Sequence, residues 1–383
     1  QSARDSFDLV RTRYPQHALA PVADLNAGYA CYHLGEFDGA VERFDRAAAV
    51  PDQAHEAQFW KGMSLKSKGD YATAVTTFTQ LAEAAGTAPL AEKAQFHAAD
   101  ALLRGSEYAR AQAQFLAIAD RVPVSPLAAD ALHLATEAAL LHGNLDDADR
   151  LHARFQQTFP RHGLALLQQL LHGRVHLARG DRAFDARKPA DATAGYQAAA
   201  TEFSEVAREA QVPRTAHLAR LLLGRAYDRL EQHADVAEAL APLVEQLRLG
   251  QVDAEFAEAL LLSARALLKL DRNEQAAAAA SLLVDRFPDH EQVGDALASL
   301  ALAQSRLEHL EYVDAALTRL WTRESSRALA RRTTYQLAEQ AYAQENWTRS
   351  AALFDRLLTG GAGDFEIEAA ARSGLGYAHF RAG

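Results

Sequence analysis

The stretch Leu34-Gly35-Glu36-Phe37-Asp38-Gly39-Ala40, followed by Phe44 and Ala47, returns 34 residues later as Lys68-Gly69-Asp70-Tyr71-Ala72-Thr73-Ala74, followed by Phe78 and Leu81. Self-similarity at a fixed offset marks a repeat architecture, and it has to be sought before single elements are assigned. With the aromatic after the turn as an anchor, the register runs outward through Phe37, Tyr71, Tyr108, Leu145, Pro189, His233, Asn273, Leu310 and Trp347, at intervals of 34, 37, 37, 44, 44, 40, 37 and 37 residues. Three positions past each anchor the side chain is small or β-branched, from Ala40 and Ala74 to Val313 and Ser350. Seven past, it is mostly large (Phe44, Phe78, Phe115, His152, Tyr196, Leu240, Ala280, Leu317, Phe354), and nine before, it is small (Gly28, Gly62, Ala99, Thr136, Gly180, Gly224, Ala264, Ala301, Ala338).

Offsets of three, seven and ten trace one face of a helix. Each repeat therefore reads as an antiparallel helix pair: a small residue on the first helix lets the second approach, and large residues on the second fill the space between repeats. Pro123, Pro160 and Pro288, each 15 past an anchor, stop the second helix because proline donates no backbone hydrogen bond. Composition agrees. Nearly half of the 383 residues are hydrophobic but only 8% are aromatic, and alanine dominates, which suits helices packed closely through small side chains. A repeat stack also escapes the limit of roughly 250 to 300 residues on a single core.

The combination of small, aromatic, alanine, large and proline positions resembles the tetratricopeptide-repeat family. The resemblance implies an all-α fold, a right-handed α-α superhelix, acting as a non-catalytic scaffold that holds a peptide or partner helix on its concave face. The chain departs from the family in its period, mostly longer than 34, and in lacking most of the tryptophan and tyrosine expected early in the first helix. Family members line their groove with first-helix positions twelve, eight and five before the anchor. Carried onto this sequence, these give Leu25, Tyr29 and Tyr32; Phe59, Met63 and Lys66; Phe96, Asp100 and Leu103; and His133, Glu137 and Leu140. Further along they include Arg225, Asp228, Arg265, Tyr335, Glu339 and Tyr342. The first three repeats offer an aromatic surface of a kind enriched at interfaces. The lysine and asparagine pairs that clamp a peptide's terminal carboxylate in some family members are missing, which disfavours a chaperone-tail adaptor.

Residues 1–163 form regular repeats, 164–250 longer and divergent repeats of the same solenoid, and 251–383 regular repeats again. The charged stretch Arg179 to Lys188 before Pro189 reads as part of a lengthened helix pair. Ala3, Phe7, Val10 and Pro15 fit an anchor just before residue 1, and Gly376 and Gly383 fit the small and turn positions of a further repeat. The expectation is an excerpt from a longer array, since end repeats usually carry polar caps.

A net charge of −10 disfavours sequence-independent nucleic-acid binding, which needs a basic surface. No apolar run approaches the 18 or so residues of a membrane-spanning helix. The single cysteine, Cys31, excludes an internal disulfide and a cysteine-cluster metal site, and its register position is a buried one. His172 and His176 lie four apart but lack the adjacent glutamate of a metalloprotease helix, so packed or solvated histidines are expected there, and His152 reads as a packing residue. Gly360 to Gly363 lacks the Gly-Lys-Ser/Thr ending of a phosphate loop. Asp146, Asp147 and Asp149 open a second helix, where carboxylates favour the positive end of the dipole, and Trp60, Trp321 and Trp347 read as packing residues. No cofactor, metal or catalytic set emerges.

Two placements stay open. Arg13-Tyr14-Pro15-Gln16-His17 and Arg286-Phe287-Pro288-Asp289-His290 are similar to aromatic-proline linkers of bacterial envelope proteins, which implies a periplasmic or outer-membrane-associated scaffold. The alternative is a cytoplasmic adaptor attached to a signalling, DNA-binding or secretion domain.

Overall fold

The computed structural model describes residues 2–121, 124–361 and 365–382, and it is all-α. Pro123, Gly363 and Gly383 lie outside the described residues. First helices of the repeats are α2 (Ala20–His33), α4 (Pro51–Lys68), α6 (Pro89–Arg104), α8 (Ala128–Leu141), α10 (Ala165–Asp185), α12 (Pro213–Arg229), α14 (Glu258–Lys269), α16 (Val293–Arg306), α18 (Arg327–Ala343) and α20 (Phe365–Ala382). Second helices are α1 (Ser2–Arg13), α3 (Phe37–Ala47), α5 (Tyr71–Ala85), α7 (Tyr108–Ala119), α9 (Leu145–Thr158), α11 (Pro189–Glu209), α13 (His233–Leu249), α15 (Asn273–Arg286), α17 (Leu310–Thr322) and α19 (Trp347–Thr359). All nine anchors are the first residues of second helices. The wide intervals after Leu145 and Pro189 are taken up by helix length, since α10 and α11 run for 21 residues each.

Two compact units divide the chain, Gln1–Val175 and His176–Gly383, with the boundary inside α10. Within the first unit each helix from α1 to α8 packs on the next, and first helices touch across repeats, α2 on α4, α4 on α6 and α6 on α8. The second unit repeats the scheme, with α12 on α14, α14 on α16, α16 on α18 and α18 on α20.

The register's small and large positions meet as their chemistry requires. A Cβ added at Gly28 would lie 2.6 Å from the Phe44 ring, at Gly62 2.7 Å from Phe78, and at Gly224 2.7 Å from Leu240. Each large side chain, seven past its anchor, is thus pressed onto the first helix of its own repeat. It also reaches the next repeat: Phe78 lies 5.6 Å from His97, and Phe354 abuts Gly374. Phe44, Phe78, Phe115, Leu240, Leu317 and Phe354 are fully buried. Gly376, by contrast, has nothing within 4 Å of an added Cβ.

A turn of one design joins every pair. The N–H of the residue before each anchor donates to the carbonyl six before the anchor, from Glu36 to Cys31 at 2.9 Å through to Asn346 to Ala341 at 2.9 Å. This is the closure of a Schellman motif, and it needs a left-handed residue between. All nine residues two before an anchor have positive φ: Gly35, Gly69 and Gly143, but also Ser106, Arg187, Glu231, Asp271, Glu308 and Glu345, with φ of 55 to 63°.

Linkers between repeats have their own device. Tyr14-Pro15-Gln16-His17 and Phe287-Pro288-Asp289-His290 are joined by a third, Phe159-Pro160-Arg161-His162. In each, the histidine Nδ1 accepts a backbone N–H two residues on, from Leu19 at 3.1 Å, Leu164 at 3.3 Å and Gln292 at 3.3 Å. The proline ends one helix and the imidazole holds the turn into the next.

Two predictions follow from this geometry. Gly62→Ala, which drives a methyl into the Phe78 ring, lowers unfolding free energy in urea melts by about 1–3 kcal/mol. Glu345→Gly relieves a left-handed non-glycine residue and raises it by about 0.5–1 kcal/mol, net of glycine's entropy; an unchanged midpoint contradicts the turn.

Candidate functional site

Most residues singled out on the first-helix face are half-buried, with Arg265 and Glu339 exposed, and the two units are described in turn. In the first, Tyr29 of α2 packs edge-on against Phe44 at 5.5 Å and Trp60 at 5.2 Å, and its hydroxyl donates to Glu56 at 2.5 Å. Burial and that carboxylate push the phenol pKa up. Tyr32 also lies against Trp60, at 5.3 Å, with its hydroxyl 3.3 Å from that of Ser67. Phe59 touches Phe78 and His97, at 5.8 and 5.3 Å, and Phe96 touches Phe115 at 5.4 Å. Met63 packs into the same cluster, while Leu25 and Leu103 are buried outright.

Polar groups in this stretch are paired across repeats. Lys66 donates to Asp100 at 2.7 Å, and its ammonium lies 3.1 Å from His97 Nδ1, which accepts because lysine only donates. Burial, with Lys66 adding, pushes the His97 pKa down to about 4. His133 is 2.7 Å from Gln168, whose amide donates to Thr136 at 3.1 Å. Glu137 pairs with Arg174 at 3.8 Å.

In the second unit, Arg225 Nε donates to Glu258 at 2.8 Å, and Arg265 pairs with Asp295. Tyr335 lies 6.1 Å from Phe354, and Tyr342 5.2 Å from Trp347. A rule emerges that spacing had not exposed. The residue eight before an anchor ties to the residue fifteen before the next anchor in Tyr29–Glu56, Glu137–Arg174, Arg225–Glu258 and Arg265–Asp295, with the charge order reversed in the second. Much of the face read as a partner surface therefore also stitches successive repeats together. Trp60, read from the sequence as a packing residue, does pack here, whereas His97, Glu56, Glu258 and Asp295 were left out; opposite charges at that pair of offsets are the signal that would have found the last two.

Remaining candidates resolve plainly. Cys31 is fully buried, its thiol 3.7 Å from Glu36, and burial pushes its pKa up. At α9 the capping side chain is Asn144, which accepts from the Asp147 N–H at 3.4 Å, while Asp146 and Asp147 occupy the first turn. His152 stacks on His172 at 3.8 Å. Trp321 donates to Thr334 at 3.0 Å. Among the described residues no helix is long and apolar enough to cross a membrane.

Comparison with known proteins agrees with this geometry. Residues 9–110 match the family model described as T7SS, ESX-1 secretion system protein EccA1, N-terminal domain. Residues 258–290, which span α14 and α15, match a tetratricopeptide-repeat model. No curated protein matches the sequence. The apo form of RapI is similar over 93% of this chain and 98% of its own, with a TM-score of 0.52 at 12% identity. A signal-transduction ATPase (STAND) protein with a tetratricopeptide-repeat sensor, from Pyrococcus horikoshii, is similar over 97% of this chain and 57% of its own, with a TM-score of 0.53 at 12% identity. At such identity the likeness is one of fold. The class is an all-α helical-repeat solenoid of antiparallel helix pairs. Within it, the tetratricopeptide-repeat family is the one supported, through the model match at residues 258–290.

A pH prediction rests on His97. Its folded pKa is depressed, so between about 6.5 and about 4 the unfolded chain binds more protons and stability falls as pH falls. Replacing His97 by Gln flattens the pH dependence of the urea midpoint over that window; a wild-type slope in the variant overturns the assignment.

Proposed function

We propose that the chain is a non-catalytic adaptor that holds a protein partner on the first-helix face of its opening repeats, within a secretion-type assembly. The fold itself suggests a protein-interaction scaffold. The observation that carries the finer reading is the match of residues 9–110 to a secretion-system family model, because that span contains Tyr29, Tyr32, Phe59, Met63, Lys66, Phe96 and Asp100. There Lys66 is paired with Asp100, and Tyr29, Tyr32, Phe59, Met63 and Phe96 present aromatic and thioether groups. Such a surface suits the apolar face of a partner helix or an extended peptide with bulky side chains.

A second reading, a scaffold of the bacterial envelope, draws on the aromatic-proline linkers. Their structural role in holding turns gives them a purpose in any compartment, so the adaptor reading is preferred.

Tyr29 and Phe59 lie directly against the buried rings of Phe44 and Phe78, whereas Tyr32 lies against the half-buried Trp60, so Tyr32 and Met63 are the better probes. Tyr32→Ser with Met63→Ser, both half-buried on the face, leaves the helical circular dichroism unchanged. In affinity capture from a secretion-competent bacterial extract, the double variant loses its partner by at least about tenfold, the loss of roughly 1.4 kcal/mol expected for an anchor residue. Equal recovery by variant and wild type removes this face from the proposal.

A further inference from the structure

The junction of α18, α19 and α20, wholly within the second unit, carries a guanidinium laid over aromatic rings, which no other repeat shows among the described residues. Tyr342, Trp347 and Tyr377 form a three-ring cluster, with centroids 5.2, 5.6 and 6.1 Å apart. Tyr342–Trp347 meet nearly perpendicular, at 86°. Into this cluster the guanidinium of Arg381 is laid, its Cζ 4.9 Å from the Trp347 centroid and 6.0 Å from that of Tyr377. A cation at such range over an indole face is attracted by the ring quadrupole.

The register shows that this is a choice of residues at a position shared with other junctions. When Gly376 is counted as the small position, Tyr377 and Arg381 stand eight and four before the next anchor position, as Asp100 and Arg104 stand before Tyr108. The second junction is built from Lys66, Tyr71, Asp100 and Arg104, and there the arginine donates to Asp100 at 3.1 Å. At the last junction a tyrosine replaces the aspartate, so the arginine has rings where its counterpart has a carboxylate.

Tyr377 is 44% exposed, and the neighbouring Phe380 79%. Glu339, exposed and one turn before Tyr342 on α18, has no ion pair among the described residues, and its charge together with that of Arg381 bears on the Tyr342 hydroxyl. A soft, planar cation entering the cage thus finds the faces of Trp347 and Tyr377, with Tyr342 completing the ring cluster and the charge of Glu339 acting on the Tyr342 hydroxyl.

We propose that this cage is a binding site for an arginine side chain of a partner protein, occupied in the free chain by Arg381 as an internal stand-in. It rests on the reading of the first-helix face as an interaction face, and it names the partner chemistry at one junction. Arginine fits better than lysine because a planar, weakly hydrated guanidinium stacks on rings, whereas a compact ammonium keeps its water. Arg381 lies in the last turn of α20 and needs only side-chain rotation to leave, so exchange replaces one guanidinium by another.

The test follows the Trp347 indole N–H resonance, assigned through Trp347→Phe, while the 383-residue chain is titrated with N-acetyl-arginine methylamide. Arg381→Ala gives a saturable shift, and the wild type binds about fivefold more weakly because its own arginine competes. The uncharged isostere N-acetyl-citrulline methylamide leaves the resonance in place, and Tyr377→Ala with Arg381→Ala abolishes the arginine response. The proposal is overturned if citrulline binds as well as arginine, if removing Tyr377 has no effect, or if Arg381→Ala with wild-type circular dichroism shows no saturable shift. Loss of capture by the Tyr32/Met63 variant alongside an unchanged arginine titration separates the cage from the wider face.

Discussion

The contact between the large side chain seven past each anchor and the small residue nine before it is the one on which the rest depends. A ring such as Phe78 sits in the notch left by Gly62 on its own repeat and is covered from the far side by His97 of the next. It therefore welds the hairpin and the hairpin-to-hairpin interface at once. Burying such a side chain stabilises by roughly 1.5–3 kcal/mol, but only when both helices arrive at that distance. Repeats of this kind do not bury their faces alone, which is why the pattern has to persist along the chain.

Holding the helices at that distance falls to the turn. Closure of the Schellman type fixes where the second helix starts, and with it which residue becomes its first. In three repeats glycine supplies the left-handed residue without strain, and in six a side chain is carried into that region. The backbone geometry is constant although the residue is not. Stacking supplies the missing energy, so tertiary packing overrides local preference at these positions.

The first-helix face shows how structure and recognition share the same side chains. Ties such as Arg225–Glu258 and Arg265–Asp295 join successive repeats across the very positions where a partner would be read. Arginines with carboxylates in reach are consumed in this way. Arg381, with aromatic rings at hand instead, is held by an interaction that another guanidinium can reproduce.

Sequence alone determined the helix pairs, their order, and the residues at which each second helix begins, because a periodic pattern of large and small side chains admits one way for helices to close-pack. It also identified Cys31 as buried and the glycines at Gly28 and Gly62 as points of contact. It did not show that Glu231 or Glu345 adopts positive φ, since nothing local in glutamate favours that region. Nor did it show that Tyr29 and Arg225 are bound to the next repeat, or that Tyr342, Trp347, Tyr377 and Arg381 converge. Those facts depend on side chains from separate helices meeting at particular distances, and such meetings exist only once the hairpins have stacked.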